Sequence, residues 1–216
     1  MRLLTIIFTF ISISVFGQTE RTIAKSSIDT LTSISEFIGA GKDTFHYFSL
    51  VDTSINQYRL PDNFVKPKRW NEAEKSRTDQ EFYGGTYPDT FDLKDALAAI
   101  DTAKNLWTLC AAKSWCLKNY SQAFPFLVAR LTIKTKVGLE NTADLIIWER
   151  IGSGDLKFYG HGGGMQEDIF TIAGRASWIL NELTGEEFAV VHCSMTEVQA
   201  NEYKRLWTEY IIELKK

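Results

Sequence analysis

The stretch 165–208, MQEDIFTIAGRASWILNELTGEEFAVVHCSMTEVQANEYKRLWT, reads as helix, short link, helix. In its first half Ile169, Ile172, Ala173, Ala176, Ile179, Leu180 and Leu183 recur at helical spacing and make one apolar stripe. Gly185 follows as the stop, because glycine enters the left-handed conformation that closes a helix. The second helix is expected from Ser194, where Ser-Met-Thr-Glu197 has capping-box spacing. Its apolar face would be Tyr203, Leu206, Trp207, Tyr210, Ile211 and Leu214, with Trp207 packed on Ile172, Ala176 and Leu180.

Upstream the same pattern repeats. Asp92 caps an expected helix through Ile100, and a second is expected from Asp101, with Ala103, Trp107, Cys110, Ser114 and Leu117 along one side. Ser121 would cap a third, placing Pro125 in the first turn, and Phe124, Leu127, Val128 and Leu131 form its stripe. The short link between the second and third helices implies an antiparallel hairpin. A fourth helix is expected over 139–151. The sequon Asn119-Tyr-Ser121 falls in the turn and is read as capping.

Before Asp92 the pattern weakens. A short helix is expected over 27–38, ended by Gly39 and Gly41. The cluster in 43–66 fits neither period, and a helix or a strand pair both stay open. Residues 66–89 are polar, are broken by Pro67, Gly84, Gly85 and Pro88, and read as a linker.

The run Asn119-Tyr-Ser-Gln-Ala-Phe-Pro125-Phe-Leu127-Val-Ala-Arg-Leu131 resembles the inter-helix turn and second helix of a HEAT repeat. Leu183-Thr-Gly185-Glu-Glu-Phe188, ahead of a helix bearing Tyr203, Trp207 and Tyr210, also resembles bacterial HEAT-repeat proteins. The resemblance spans about residues 92–216 and departs from the family in repeat number and in the long loop between the hairpins. It implies an all-α fold, with antiparallel helix hairpins stacked as a short HEAT-like α-solenoid.

Residues 1–17, MRLLTIIFTFISISVFG, have one cationic residue, an apolar run and a small-residue end, the layout of a secretory signal peptide. The chain is therefore expected to be exported, periplasmic or extracellular, with a mature form starting at Gln18 and no membrane span after cleavage. Residues 18–91 form an N-terminal segment and 92–216 the helical domain. The 216 residues are 44% hydrophobic, enough for one filled core. A net charge of −3 gives no electrostatic case for nucleic acid. Cys110, Cys116 and Cys193 are three, so at least one lacks an intramolecular partner, and all three read as small buried side chains. A bridge from Cys193 to one of the others is the alternative.

Chemistry, if present, belongs to the glycine-rich loop 152–168. His161-Gly-Gly-Gly164 superficially matches the oxyanion-hole motif of lipases, but no serine stands in a Gly-x-Ser-x-Gly elbow. The loop lacks a Walker A pattern, and Glu167 and Asp168 at the next helix start oppose an anion there. His161, Glu167 and Asp168 come without a paired His-x-x-x-His or Cys-x-x-Cys, so no metal and no cofactor are expected. Trp107, Trp115, Trp148, Trp178 and Trp207 are read as core and Trp70 as the exposed exception. Long loops on helical scaffolds carry binding residues, which makes Phe158, Tyr159 and His161 the contact candidates. The expected function is a non-catalytic interaction or scaffold module whose partner is another protein. The alternative is an enzyme or metal-dependent binder using the loop 152–168.

Overall fold

Asp92 opens the helical region as its position implies. Its carboxylate accepts from the backbone N–H groups of Lys94 (2.8 Å) and Asp95 (3.1 Å), while the Asp95 carboxylate accepts the Asp92 N–H, closing a capping box. The computed structural model describes residues 53–70, 87–140 and 142–216. The signal segment 1–17, the helix expected at 27–38, residues 43–52 of the apolar cluster and the linker core 71–86 lie outside the described residues.

Helix α1 is Leu93–Thr102, so Asp101 belongs to its last turn and does not begin the next helix. Asn105 takes that role for α2, Leu106–Lys118, accepting the Trp107 N–H at 2.8 Å. Asn119 alone separates α2 from α3, Tyr120–Arg130, and its side-chain amide donates back to the Trp115 carbonyl. Ser121 therefore lies inside α3 and is not its cap, and Pro125 sits in the second turn. Proline has no N–H for the Ser121 carbonyl, a loss that is mild here because Ser121 is exposed to solvent.

The helix expected over 139–151 is corrected most. Glu140 donates its N–H to the Lys104 carbonyl at 2.6 Å, and Leu145–Ile146 is a strand, β1, paired in parallel with β2, Gly163–Gly164. Only Trp148–Gly152, α4, is helical. Tertiary hydrogen bonds outweigh local propensity here, and the pairing requires Gly162. With φ at 115° it lies so near Asp144 that a Cβ would stand 2.7 Å from the Asp144 carbonyl.

Helix α5, Ile172–Thr184, is capped by Thr171 and ended by Gly185 at φ 71°, as the sequence implies at its C-terminus. It starts later than the apolar stripe suggests because residues 168–170 fold back over its first turn. A Cβ on Gly174 would meet the Asp168 carbonyl oxygen at 1.8 Å, so only glycine fits there. Helix α6 is Glu197–Leu214, and its capping box is Thr196 with Gln199, two residues beyond the expected Ser194.

Every residue of α5 is buried, and α1, α2 and α3 all pack against it. Such a helix must also bury polar groups, and its charged ones find partners from other segments. The Arg175 guanidinium donates to the carbonyls of Ile169 (2.8 Å), Ile100 (2.7 Å), Ala103 (2.7 Å) and Gly138 (2.9 Å), joining the negative end of α1 to α5. Desolvation pulls its pKa down to about 10, which leaves it charged at neutral pH. Lys113 of α2 meets both Glu182 oxygens at 2.9 and 3.0 Å and lies 4.5 Å from the Trp178 ring centre. Arg130 of α3 forms a two-pronged pair with Asp101 at 2.8 Å for each prong.

Helix α6 packs on α3 and on the 3-10 turn Thr53–Tyr58. Trp207 is fully buried, but its ring partners are Phe124, Phe188 and Tyr210, not the expected stripe of Ile172, Ala176 and Leu180. Tyr203, Leu206 and Leu214 are only partly covered.

Trp70 reverses its expected exposure and is 0% exposed. Its indole stacks between Phe124 (6.0 Å) and Tyr210 (6.4 Å) and donates to the Tyr210 hydroxyl at 2.8 Å. Among the described residues the fold is helical, with one two-stranded ladder. No helix among them is long and apolar enough to cross a membrane.

Candidate functional site

The two segments that meet at the β1–β2 ladder, α4 and the glycine-rich loop, build the surface that stands out. Gly154 (φ 81°) and Gly160 (φ 84°) turn the chain at either end of the span 154–160. Between them Leu156 points inward, 3% exposed, and its N–H bonds the Arg150 carbonyl at 3.0 Å. With Leu156 anchored, Lys157, Phe158 and Tyr159 face solvent. Phe158 is 45% and Tyr159 54% exposed.

Trp148 joins them at 65% exposed, its ring centre 5.4 Å from that of Phe158. This corrects the expectation of a core tryptophan; Trp107, at 59% exposed, is corrected in the same way. Trp148 is the first residue of α4, directly after the buried Ile147, and the turn of chain there sends it outward. The Lys157 ammonium lies 5.2 Å from the Tyr159 ring centre.

An ion network underlies these aromatics. Arg150 grips Asp168 through two bonds (2.8 and 2.5 Å) and Asp155 through a third (2.8 Å), and Lys136 reaches Asp155 at 2.5 Å. Asp168 is almost wholly buried, and its hydrogen bond to Arg150 raises the arginine pKa further above an already high value. Asp155 is held down to about 2, first by Lys136 and then by Arg150.

A pH effect follows with a definite sign. A carboxyl whose folded pKa is below its unfolded value, near 3.8, stabilises the fold above that value and loses the contribution as pH falls through about 2. Carboxyl carbon shifts should show Asp155 titrating near 2. A midpoint near 3.8 would mean that the network does not hold the loop in solution.

Glu149 faces the other way. It accepts from the Cys193 N–H at 2.7 Å and the Ser194 hydroxyl at 3.3 Å. Burial alone would raise its pKa, but these bonds, with one from the Cys193 thiol, outweigh it and hold the carboxyl below its usual value. Burial pushes the Cys193 thiol up to about 12, with the Asp168 and Glu149 carboxylates adding to the effect. Such a thiol stays protonated at neutral pH and has little nucleophilic character. Cys110 and Cys116 are buried and raised by desolvation to about 11 and 12, and all three cysteines are free.

The loop's acids are not gathered around His161. His161 is exposed, Glu167 accepts from the Asn181 amide at 3.0 Å, and Asp168 is taken by Arg150. Among the described residues no group of three or more His, Cys, Asp or Glu side chains is arranged to hold a metal ion. Phe158, Tyr159 and His161 all lie on the surface, and the structure adds Trp148 to the aromatic pair. Comparison with protein-family models, with curated proteins and with solved structures found no match.

Proposed function

We propose that the protein is an exported helical module that binds another protein through the surface of Trp148, Phe158 and Tyr159, with His161 at its border. The observation that carries this reading is a group of large exposed aromatic side chains mounted on a loop that an ion network already holds in place. Tryptophan and tyrosine supply large contact area at low entropic cost and dominate binding energy at interfaces. A loop ordered before binding loses less freedom on association. Export rests on the first 17 residues.

The HEAT-like stacking draws its support from the turn motifs at 119–131 and 183–188. The position of α5, covered by three helices, favours a closed layer around that helix over an open solenoid, in which each repeat touches only its neighbours. An enzyme or metal-dependent binder at 152–168 would need Asp168 and Glu167 released from Arg150 and Asn181, and no observation at the site favours it.

The test is affinity capture from the organism's own envelope fraction, comparing wild type with Trp148→Ala/Phe158→Ala. Both side chains are exposed, so the variant should fold. Truncating two central aromatics is expected to cost at least about 2 kcal/mol of binding, roughly thirtyfold. A partner held equally by both proteins would remove this surface from the function.

A further inference from the structure

We propose that residues 53–70 form a strap that opens from the helical body as one unit, with Tyr210 as its latch, and that opening bares an aromatic slot the closed protein hides. The inference is independent of the surface around Trp148.

The strap's main chain is bonded within itself. After the 3-10 turn Thr53–Tyr58, the Arg59 N–H donates to the Asn56 carbonyl (3.1 Å), Phe64 to that of Pro61 (2.9 Å) and Trp70 to that of Pro67 (3.0 Å). Among the described residues no backbone–backbone hydrogen bond joins 53–70 to a helix. A strand leaving a sheet breaks a ladder of such bonds, whereas this segment can leave with its turns intact.

Side chains fasten it to the helices. Ile55, Tyr58, Leu60 and Trp70 are buried, while most of the residues between them face solvent wholly or in part. Two polar anchors converge on one atom of α6. The Tyr210 hydroxyl oxygen accepts from the Trp70 indole at 2.8 Å and from the Arg69 guanidinium at 2.7 Å, which fills both of its acceptor sites. Around this point Trp70 stacks on Phe124 and Tyr210, and Arg69 pairs with Glu186 at 3.1 Å.

The contrast with α5 sets the order of opening. All of α5 is buried beneath three helices, and hydrogen bonds from Arg175 and Glu182 tie it to α1 and α2. The strap has a few buried apolar side chains and no main-chain bond across its boundary, the features of segments that open at less than the full cost of unfolding. When it leaves, the ring faces of Phe124 and Tyr210 that Trp70 covers come free.

Hydrogen exchange on the full chain tests this. The Trp70 indole N–H is buried and bonded, so it exchanges only when the strap opens or the protein unfolds, whereas core amides of α5 such as Ile179 and Leu180 report unfolding. In the wild type, protection of the indole should be at least about tenfold lower than that of the α5 amides. Ile100→Val lies in α1, which packs on α2, α3 and α5. It should lower α5 protection roughly two- to tenfold and leave the indole unchanged, because those contacts persist when the strap is open. Tyr210→Phe keeps the ring and removes the hydroxyl, so it should lower protection at both sites by the same factor, about tenfold, since the lost bonds exist only in the closed form. Equal protection of indole and α5 in the wild type, or an indole that loses as much as α5 in Ile100→Val, would make 53–70 part of a single cooperative core and overturn the strap. A Tyr210→Phe variant that leaves either site unchanged would overturn the latch.

Discussion

Trp207→Ala is expected to lower unfolding free energy by roughly 3–5 kcal/mol, the usual cost of emptying a core position this large. Trp207 is 0% exposed and bridges α6 to α3 and to the 185–188 turn, with ring centres 5.8 Å from Phe124, 4.8 Å from Phe188 and 5.4 Å from Tyr210. The cavity would open where Trp70 also stacks, since Phe124 and Tyr210 contact both indoles. The loss is a large part of the roughly 5–15 kcal/mol that holds a domain together. Arg205, two residues earlier and exposed, is the control. Among the described residues it pairs with Glu202 and Glu209 of its own helix, and such surface pairs contribute little, so Arg205→Ala should change stability by no more than about 0.5 kcal/mol. Denaturant midpoints of the two variants decide the matter. Equal midpoints for Trp207→Ala and wild type would mean that α6 does not close this core.

Asp101→Ala should be as damaging for a different reason. Asp101 lies in the last turn of α1, where the helix dipole disfavours an acid, and it is tolerated because Arg130 neutralises it. Both side chains are 1% exposed. Taking away the carboxylate leaves the Arg130 guanidinium buried without its counter-charge, at a cost of roughly 3–5 kcal/mol. Replacing the pair together, as Asp101→Leu/Arg130→Met, removes both charges and should recover most of that loss. A double-mutant cycle read by denaturant titration gives the coupling directly. Near-additive losses would show that the two residues do not form this pair in solution.

The segment that misses its expected helix does so because distant residues decide its structure. Residues 139–147 carry Leu139, Ala143, Leu145, Ile146 and Ile147, a run compatible with a helix or a buried strand, and periodicity does not separate the two at this length. The bonds that choose between them come from Lys104 and from the Gly163 and Met165 N–H groups, far along the chain. Tryptophan placement has the same origin. Helix α2 is apolar nearly all round, so the expected side of Ala103, Trp107, Cys110, Ser114 and Leu117 was a poor guide, and Trp115 faces inward while Trp107 does not. Trp70 sits in a polar run, yet Phe124 and Tyr210, distant in sequence, form its slot.

At the candidate site Phe158, Tyr159 and His161 were legible as loop residues between turn-forming glycines. Trp148 was not, because its exposure depends on where Ile147 is buried and on the abrupt end of β1. The sequence by itself determined the helices with a clear 3.6-residue period and local caps: Asp92 at one start, the stripe of α5, the left-handed Gly185 at its end, and the phase that buries Trp207 and exposes Arg205. Those features depend on residues within a turn or two of each other. Only the tertiary structure decided which helix covers which, that α5 is enclosed on every side, and that a two-residue ladder ties the glycine-rich loop to the segment leading into α4. Contacts between distant segments set these, and one sequence records the residues that meet without recording their meeting.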